Sequence, residues 1–219
     1  MRVIIFGATG GAGRAAARAL LAAGHSVTAF ARRPSDLGEA PGQTIVGGDA
    51  MNVGDVSSAM PGHDAVMVAL GNSQNPFALL FGARRTTPAN ICEVGTRNII
   101  GAMQASGIAR LIVVSAFGVG DTRALASVTN RLFFKLVLRE HMADKEKQEA
   151  IVKASGLDWV LAQPVALIDG AGLGRWWESA DGALGQPMIM RADLASFIAR
   201  ELAAPAHHCA TVTLSGAAP

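Results

Sequence analysis

The chain has 219 residues and no tyrosine, so no phenol is available to give up a proton in any reaction it performs. It has two cysteines, Cys92 and Cys209, far apart and without metal-ligand spacing. Neither a disulfide framework nor a thiolate metal site is expected, and reduced thiols fit a cytoplasmic protein. His207-His208-Cys209 has no second group of ligands elsewhere in the chain, so no metal is expected. Charge is sparse at 16% of residues and nearly balanced at +2. Arg32-Arg33 and Arg84-Arg85 are isolated pairs and not a basic stripe, so neither nucleic acid nor an anionic membrane is an expected partner. No uncharged run approaches the roughly 18–20 apolar residues a membrane span needs. Met1–Phe6 is apolar but runs straight into Gly7, which is too short for the core of a secretory signal.

Half of the residues are hydrophobic, enough for a sizeable core, and the length suits a single domain over residues 1–219. Val3–Phe6, Val27–Phe30, Thr44–Val46, Ala65–Leu70 and Leu111–Ser115 read as strands buried on both faces. Alanine-rich helices separate them: Ala12–Ala23 closed by Gly24, and Asn90–Ala105 closed by Gly107. Asp158–Leu161 predicts a sixth strand, Ala192–Ala203 a late helix and Thr211–Leu214 a last strand. This alternation predicts an α/β fold, a doubly wound parallel sheet. Three long loops, 72–88, 117–127 and 164–188, follow strand C-termini, where open α/β sheets bind ligands, and are expected to form an acceptor site. A long helix containing Leu132-Phe133-Phe134 follows the second loop. Trp176-Trp177, Phe117 and Phe133-Phe134 are candidates for a flat aromatic pocket, with ordinary core packing the alternative for the phenylalanines. Phe77–Phe81 could form a partner or dimer surface, so a monomer or a homodimer is expected.

Gly7-Ala8-Thr9-Gly10-Gly11-Ala12-Gly13 stands between the first strand and the first helix. Glycines there let the backbone turn tightly and approach a pyrophosphate, whose charge rests on the helix N-terminus. Strand, glycine loop and helix in that order predict a Rossmann dinucleotide site. The second strand ends in Ala31-Arg32-Arg33 with no acid before Asp36. An arginine there suits the 2′-phosphate of NADP(H) better than the ribose hydroxyl of NAD, and Arg14 could assist. Asp49-Ala50 follows the third strand, where the carboxylate either accepts from an adenine amino group or simply closes a turn. Leu70-Gly71 lets backbone pass close to the nicotinamide-side ribose. His141 and Lys145 are at i and i+4 on one helix face, and a histidine can act as a general acid near neutral pH.

The GATGGAG loop, Ala31-Arg32, Gly48-Asp49, Ala69-Leu70-Gly71, Ser115-Ala116-Phe117 and Ser155–Trp159 before Gln163-Pro164 resemble an atypical short-chain dehydrogenase/reductase. The resemblance is to the NAD(P)H-binding, NmrA-like group, and within it to the biliverdin-IXβ reductase (flavin reductase) branch. It implies that Ser115 lies near the nicotinamide and that Pro164 and Val165 close over it. Gln163 departs from the arginine that family members commonly place before that proline. The resemblance puts Lys145 where the family's ribose-binding lysine falls and His141 where the missing tyrosine would be. Glu149, one turn further on, reads as structural. A site without a strong acid suits hydride transfer to a conjugated small-molecule acceptor such as a flavin, quinone or bilin, whose anion takes its proton from water. The alternative is a non-catalytic NADP(H)-sensing regulator. An isomerase or epimerase is disfavoured, because such enzymes usually keep the tyrosine.

Overall fold

Unalternating valine and isoleucine make strands that water never reaches, and these strands form the middle of one sheet. The computed structural model describes residues 1–72, 74, 77–78 and 82–217, leaving aside the side chains of 128, 130, 134 and 135. In it β1 (Arg2–Phe6) lies between β2 (Ser26–Ala31) and β4 (Ala65–Val68). β3 (Gln43–Gly47) extends the sheet beyond β2. Beyond β4 come β5 (Arg110–Val114), β6 (Asp158–Pro164) and β10 (Ala210–Gly216), and all of these pairings are parallel. β8 (Trp176–Ser179) closes that edge, antiparallel to β10, which gives the order β3-β2-β1-β4-β5-β6-β10-β8.

Helices cover both faces, so each central strand feeds two cores. Val3 and Ile5 point to α1 (Gly11–Ala22) and α6 (Arg191–Ala203), where they meet Ala16, Leu20, Phe197 and Ile198. Ile4 and Phe6 point the other way, toward α2 (Val53–Ala59), α3 (Ile91–Ser106) and α5 (Arg139–Lys153), and meet Met60, Ile99 and Met103. Burial of each such side chain contributes roughly 1.5–3 kcal/mol, which is why these strands read as apolar on both faces. This is the doubly wound Rossmann-like arrangement. The strand order reverses between β1 and β4, and the crevice at their C-terminal ends is where such sheets bind ligands.

Several elements differ from the sequence reading. Helix α4 (Val128–Leu136) and α5 are separate, and their junction at Val137-Leu138 holds neither glycine nor proline to mark the break. Segment 117–127 contains a 3-10 turn at Gly120–Leu125. Segment 164–188 is not one loop: it holds β7 (Ala166–Ile168) and β8, and β7 pairs in parallel with β9 (Met188–Met190). Trp176 and Trp177 therefore belong to the edge strand and do not line the cleft described below. Strand alternation turns Trp176 onto the α1–α6 core beneath the Arg200 guanidinium, 5.4 Å from its ring centre, and leaves Trp177 exposed. Of the apolar patch at Phe77–Phe81, Phe77 is half exposed, while Leu79, Leu80 and Phe81 lie outside the described residues, as does the Phe134 side chain.

Candidate active site

A cleft of about 740 Å³ opens at the reversal point, a size within the ordinary range of small-molecule sites. Its floor is the glycine loop. Gly7 has φ +88°, and a Cβ there would stand 2.5 Å from the Ala69 carbonyl oxygen, so only glycine lets β1 and the end of β4 come together. A Cβ at Gly13 would stand 2.3 Å from the Gly7 oxygen, so Gly13 serves the packing of helix on loop and does not itself line the cleft. Gly10 is the N-cap of α1, which no side chain caps and whose first turn carries no acid. The positive end of the helix dipole and its N–H groups thus open into the cleft beside Thr9, Gly10, Gly11 and Ala12. That is a cradle suited to a pyrophosphate.

At one end of the cleft stand Arg32, Arg33, Asp49 and Ala50. The Arg32 guanidinium donates to Thr87 Oγ1 at 3.2 Å, which ties the end of β2 to the 72–88 segment. Arg33 pairs with Asp36 at 3.0 Å. Arg14 lies outside the lining: its guanidinium donates to the Thr9 and Asp36 carbonyls at 2.8 and 2.9 Å and so braces the loop. Asp49 lines the cleft while its Oδ1 accepts from the Met51 N–H at 3.0 Å, a turn-closing bond.

At the other end the cleft is bounded by Leu70, Gly71, Ser115, His141, Lys145, Pro164 and Val165. These residues come from four separate stretches of chain, and α5 is held in place by a bond to α3. The Asp144 carboxylate accepts from the N–H groups of Cys92 and Glu93, at 2.8 and 2.9 Å, and so caps the start of α3. His141, one turn before this anchor, and Lys145, the residue after it, reach the cleft. Lys145 is buried and donates to the Val114 carbonyl at 2.9 Å, at the end of β5. An ammonium has three donors, and among the described residues Val114 takes one. The His141 ring packs against Gly71, where a Cβ would meet it at 3.4 Å. Burial, together with the Lys145 charge, pushes the imidazole pKa down to about 4, against a weaker opposing pull from Asp144.

Sequence reasoning missed three features. Glu149 is almost fully buried and accepts hydrogen bonds at Oε1 from the Ser115 hydroxyl and from Gln163 Nε2, the latter at 2.7 Å. Gln163, the departure from the family's arginine, also accepts from Thr122 Oγ1 at 2.8 Å, so it links the 117–127 segment to the floor of the site. Burial raises the Glu149 pKa, opposed by the Ser115 and Gln163 bonds and by Lys153 and Lys145. Thr86 and Thr87 line the cleft beside Arg32, and Arg191 lines it beside the glycine loop. The threonines fall in the 72–88 loop expected at the acceptor site but stand beside Arg32, while Arg191 starts a helix whose pattern carries no ligand signal. His207 and His208 have different partners, the carboxylates of Glu201 and Asp158, at 3.0 and 2.9 Å. No described helix is long and apolar enough to cross a membrane.

Comparison with known proteins agrees with this fold. A 3-beta-hydroxysteroid dehydrogenase of Mycolicibacterium neoaurum is 31% identical over 120 residues, 52% of this chain and 32% of that protein. The chain spans only about a third to a half of the length of the curated relatives it matches. Among solved structures, ChuY, an anaerobilin reductase of Escherichia coli O157:H7, superposes with a TM-score of 0.79 at 24% identity, over 98% of this chain and 97% of that one. A short-chain dehydrogenase/reductase of Veillonella parvula in complex with NADP superposes with a TM-score of 0.78 at 17% identity, over 98% and 94%. At these identities the superpositions establish the fold. A family model described as NAD(P)H-binding matches residues 7–205, nearly the whole chain, and the protein belongs to that family.

Proposed function

We propose that the protein is an NADPH-dependent reductase that passes a hydride to a small conjugated acceptor of the flavin, quinone or bilin type. The observation that carries this reading is that neither a phenol nor an imidazolium stands where Ser115, His141 and Lys145 meet, the Lys145 ammonium being taken up by the Val114 carbonyl and the ribose. No tyrosine exists in the chain. With its pKa held at about 4, His141 is neutral at pH 7 and can donate a hydrogen bond but not an imidazolium proton. The Ser115 hydroxyl proton is engaged by Glu149. A simple ketone needs an acid for its alkoxide. A conjugated acceptor does not, because its anion is delocalised and water can protonate it.

When bound, NADPH supplies the hydride, and the protein's residues do the rest. Arg32 takes the 2′-phosphate, and Thr9 to Ala12 receive the pyrophosphate. Asp49 and Ala50 border the adenine, and Leu70, Gly71, Pro164 and Val165 border the nicotinamide. Lys145 holds the ribose with the donors that Val114 leaves free, and Ser115 and His141 position the acceptor. We infer a single Rossmann domain whose 72–88 and 164–188 segments wall the acceptor site, while 117–127 supports its floor through Thr122 and Gln163. The bilin class is favoured by the name of ChuY, whose structure superposes over nearly the whole chain.

The test is NADPH oxidation with a panel of flavins, quinones and bilins. Turnover of at least one conjugated acceptor, and none of aliphatic ketones, is the expected result. Tight NADPH binding with no turnover of any acceptor would overturn the reductase and leave the NADP(H)-sensing regulator.

A further inference from the structure

Arg191 is the first residue of α6 and follows β9 directly, so its backbone is fixed between two regular elements. Its guanidinium lies on the glycine loop. A Cβ at Gly11 would stand 2.8 Å from Arg191 Nε and 3.1 Å from Cδ, so glycine at position 11 makes room for this arginine. The Arg191 side chain is 27% exposed and lines the cleft. Its ion-pair partner among the described residues is Asp169, 2.7 Å from Nη1, whose own side chain is 89% exposed. The Asp169 segment is held to the start of α6 by the Asp193 carboxylate, which accepts from the N–H groups of Leu173 and Gly174 at 3.1 and 3.0 Å.

The asymmetry of this pair is informative. An ion pair with one partner in water contributes little, because solvent replaces it when it breaks. A phosphate oxygen against a half-buried guanidinium forms a stronger, charge-assisted bond. The α1 N-terminus beside Arg191 already favours an anion, and here a cation stands next to it.

We propose that Arg191 is a second clasp for the dinucleotide pyrophosphate, opposite the α1 N-terminus, and that Asp169 is its holding partner in the free protein. On binding, the guanidinium exchanges the Asp169 carboxylate for a phosphate oxygen at the Gly10-Gly11 loop, and the freed Asp169 is hydrated. The proposal rests on the NAD(P)H-binding assignment and not on the acceptor.

Three ligands separate the clasp from other roles when titrated by calorimetry without acceptor: NADPH, NADH and 2′-AMP, which lacks a pyrophosphate. Arg191→Ala should weaken NADPH and NADH by the same factor, roughly 10- to 100-fold as for other charge-assisted bonds, and leave 2′-AMP unchanged. Asp169→Asn removes the competing partner and should tighten both dinucleotides by about 2- to 5-fold, the scale of an exposed ion pair. In Arg191→Ala/Asp169→Asn that gain should vanish. Wild-type affinity in a folded Arg191→Ala, a loss confined to NADPH, or a tightening by Asp169→Asn that survives without Arg191 would each overturn the proposal. If Arg191→Ala does not fold, Asp169→Asn alone decides: unchanged or weaker binding overturns it. A wild-type protein that binds neither dinucleotide refutes the family reading instead.

Discussion

The Ser115 hydroxyl donates its hydrogen bond to the buried carboxylate of Glu149, so the serine at the end of β5 presents lone pairs, and not a proton, to the cleft. The two residues sit on different layers, and the bond joins the sheet to α5 directly beneath the site. Glu149 Oε2 has no partner among the described residues, and a Cβ at Gly120 would stand 2.3 Å from it. The carboxyl is confined between the sheet and the 117–127 segment, away from bulk water.

This bond makes Glu149 the test of where the acceptor's proton comes from. If water supplies it, Glu149→Gln keeps a polar partner for Ser115 and should lower turnover only a few-fold, with an unchanged pH–rate profile. Ser115→Ala should act similarly. If a protonated Glu149 passes its proton through Ser115, the glutamine breaks the relay and should cost on the order of a hundredfold or more. Steady-state rates across pH for the two variants, with one working acceptor, distinguish these outcomes, and a large loss sinks the solvent route.

His141 bears on the same question through stability. Its folded pKa, about 4, is depressed below the ordinary 6.5, so the unfolded chain binds the proton more tightly. Stability is therefore lost as pH falls from about 6.5 toward 4, by an amount that approaches roughly 3 kcal/mol at most for this partly solvated ring. Glu149 works in the opposite sense: its pKa is raised, so its burial costs most above its ordinary value. His141→Gln should flatten the acid limb of the denaturation midpoint between pH 6.5 and 4. Catalytically it should cost little at pH 7, since a neutral ring is not the acid. An acid limb unchanged by the substitution would contradict the buried neutral histidine.

How much of this was legible depended on the distance over which each signal acts. The glycine loop, Arg32 and the Gly24 and Gly107 helix stops are local patterns, and the structure places each beside the strand or helix that announced it. Trp176 and Trp177 sit in a glycine-rich stretch whose strand character arises only by pairing with Thr213–Gly216 at the sheet edge. Nothing within the stretch reveals that partner. Glu149 is similar: its partners lie at the ends of β5 and β6, so along the chain it reads as one more charge on a charged helix.

Cofactor selectivity should follow Arg32. Its guanidinium is held by Thr87 and, more loosely, by the Thr86 carbonyl at 3.5 Å, which preorders it beside the cleft. Arg32→Ala should weaken NADPH by about 10- to 100-fold, corresponding to roughly 1.5–3 kcal/mol, and leave NADH nearly unchanged. Thr87→Val removes the side-chain tether and should produce a smaller loss in the same direction. Equal affinity of the wild type for the two cofactors would remove Arg32 from this role.

The glycine loop allows binding to be separated from folding, because its glycines are glycine for different reasons. At Gly13 a Cβ would overlap the Gly7 oxygen at 2.3 Å, so Gly13→Ala should destabilise the fold itself by forcing α1 away from β1. At Gly10 the nearest protein atom to a Cβ is the Gly7 oxygen at 3.4 Å, an ordinary contact, and φ is −73°, open to any residue. Gly10→Val should therefore leave the protein folded while its side chain takes the space and blocks the N–H groups that the pyrophosphate requires. Circular dichroism and thermal melts should show Gly10→Val near wild type and Gly13→Ala clearly lowered. Calorimetry with NADPH should then show no binding to the folded Gly10→Val protein. Normal binding there would mean that the pyrophosphate lies elsewhere, and the cofactor orientation from Arg32 to Lys145 would fall with it.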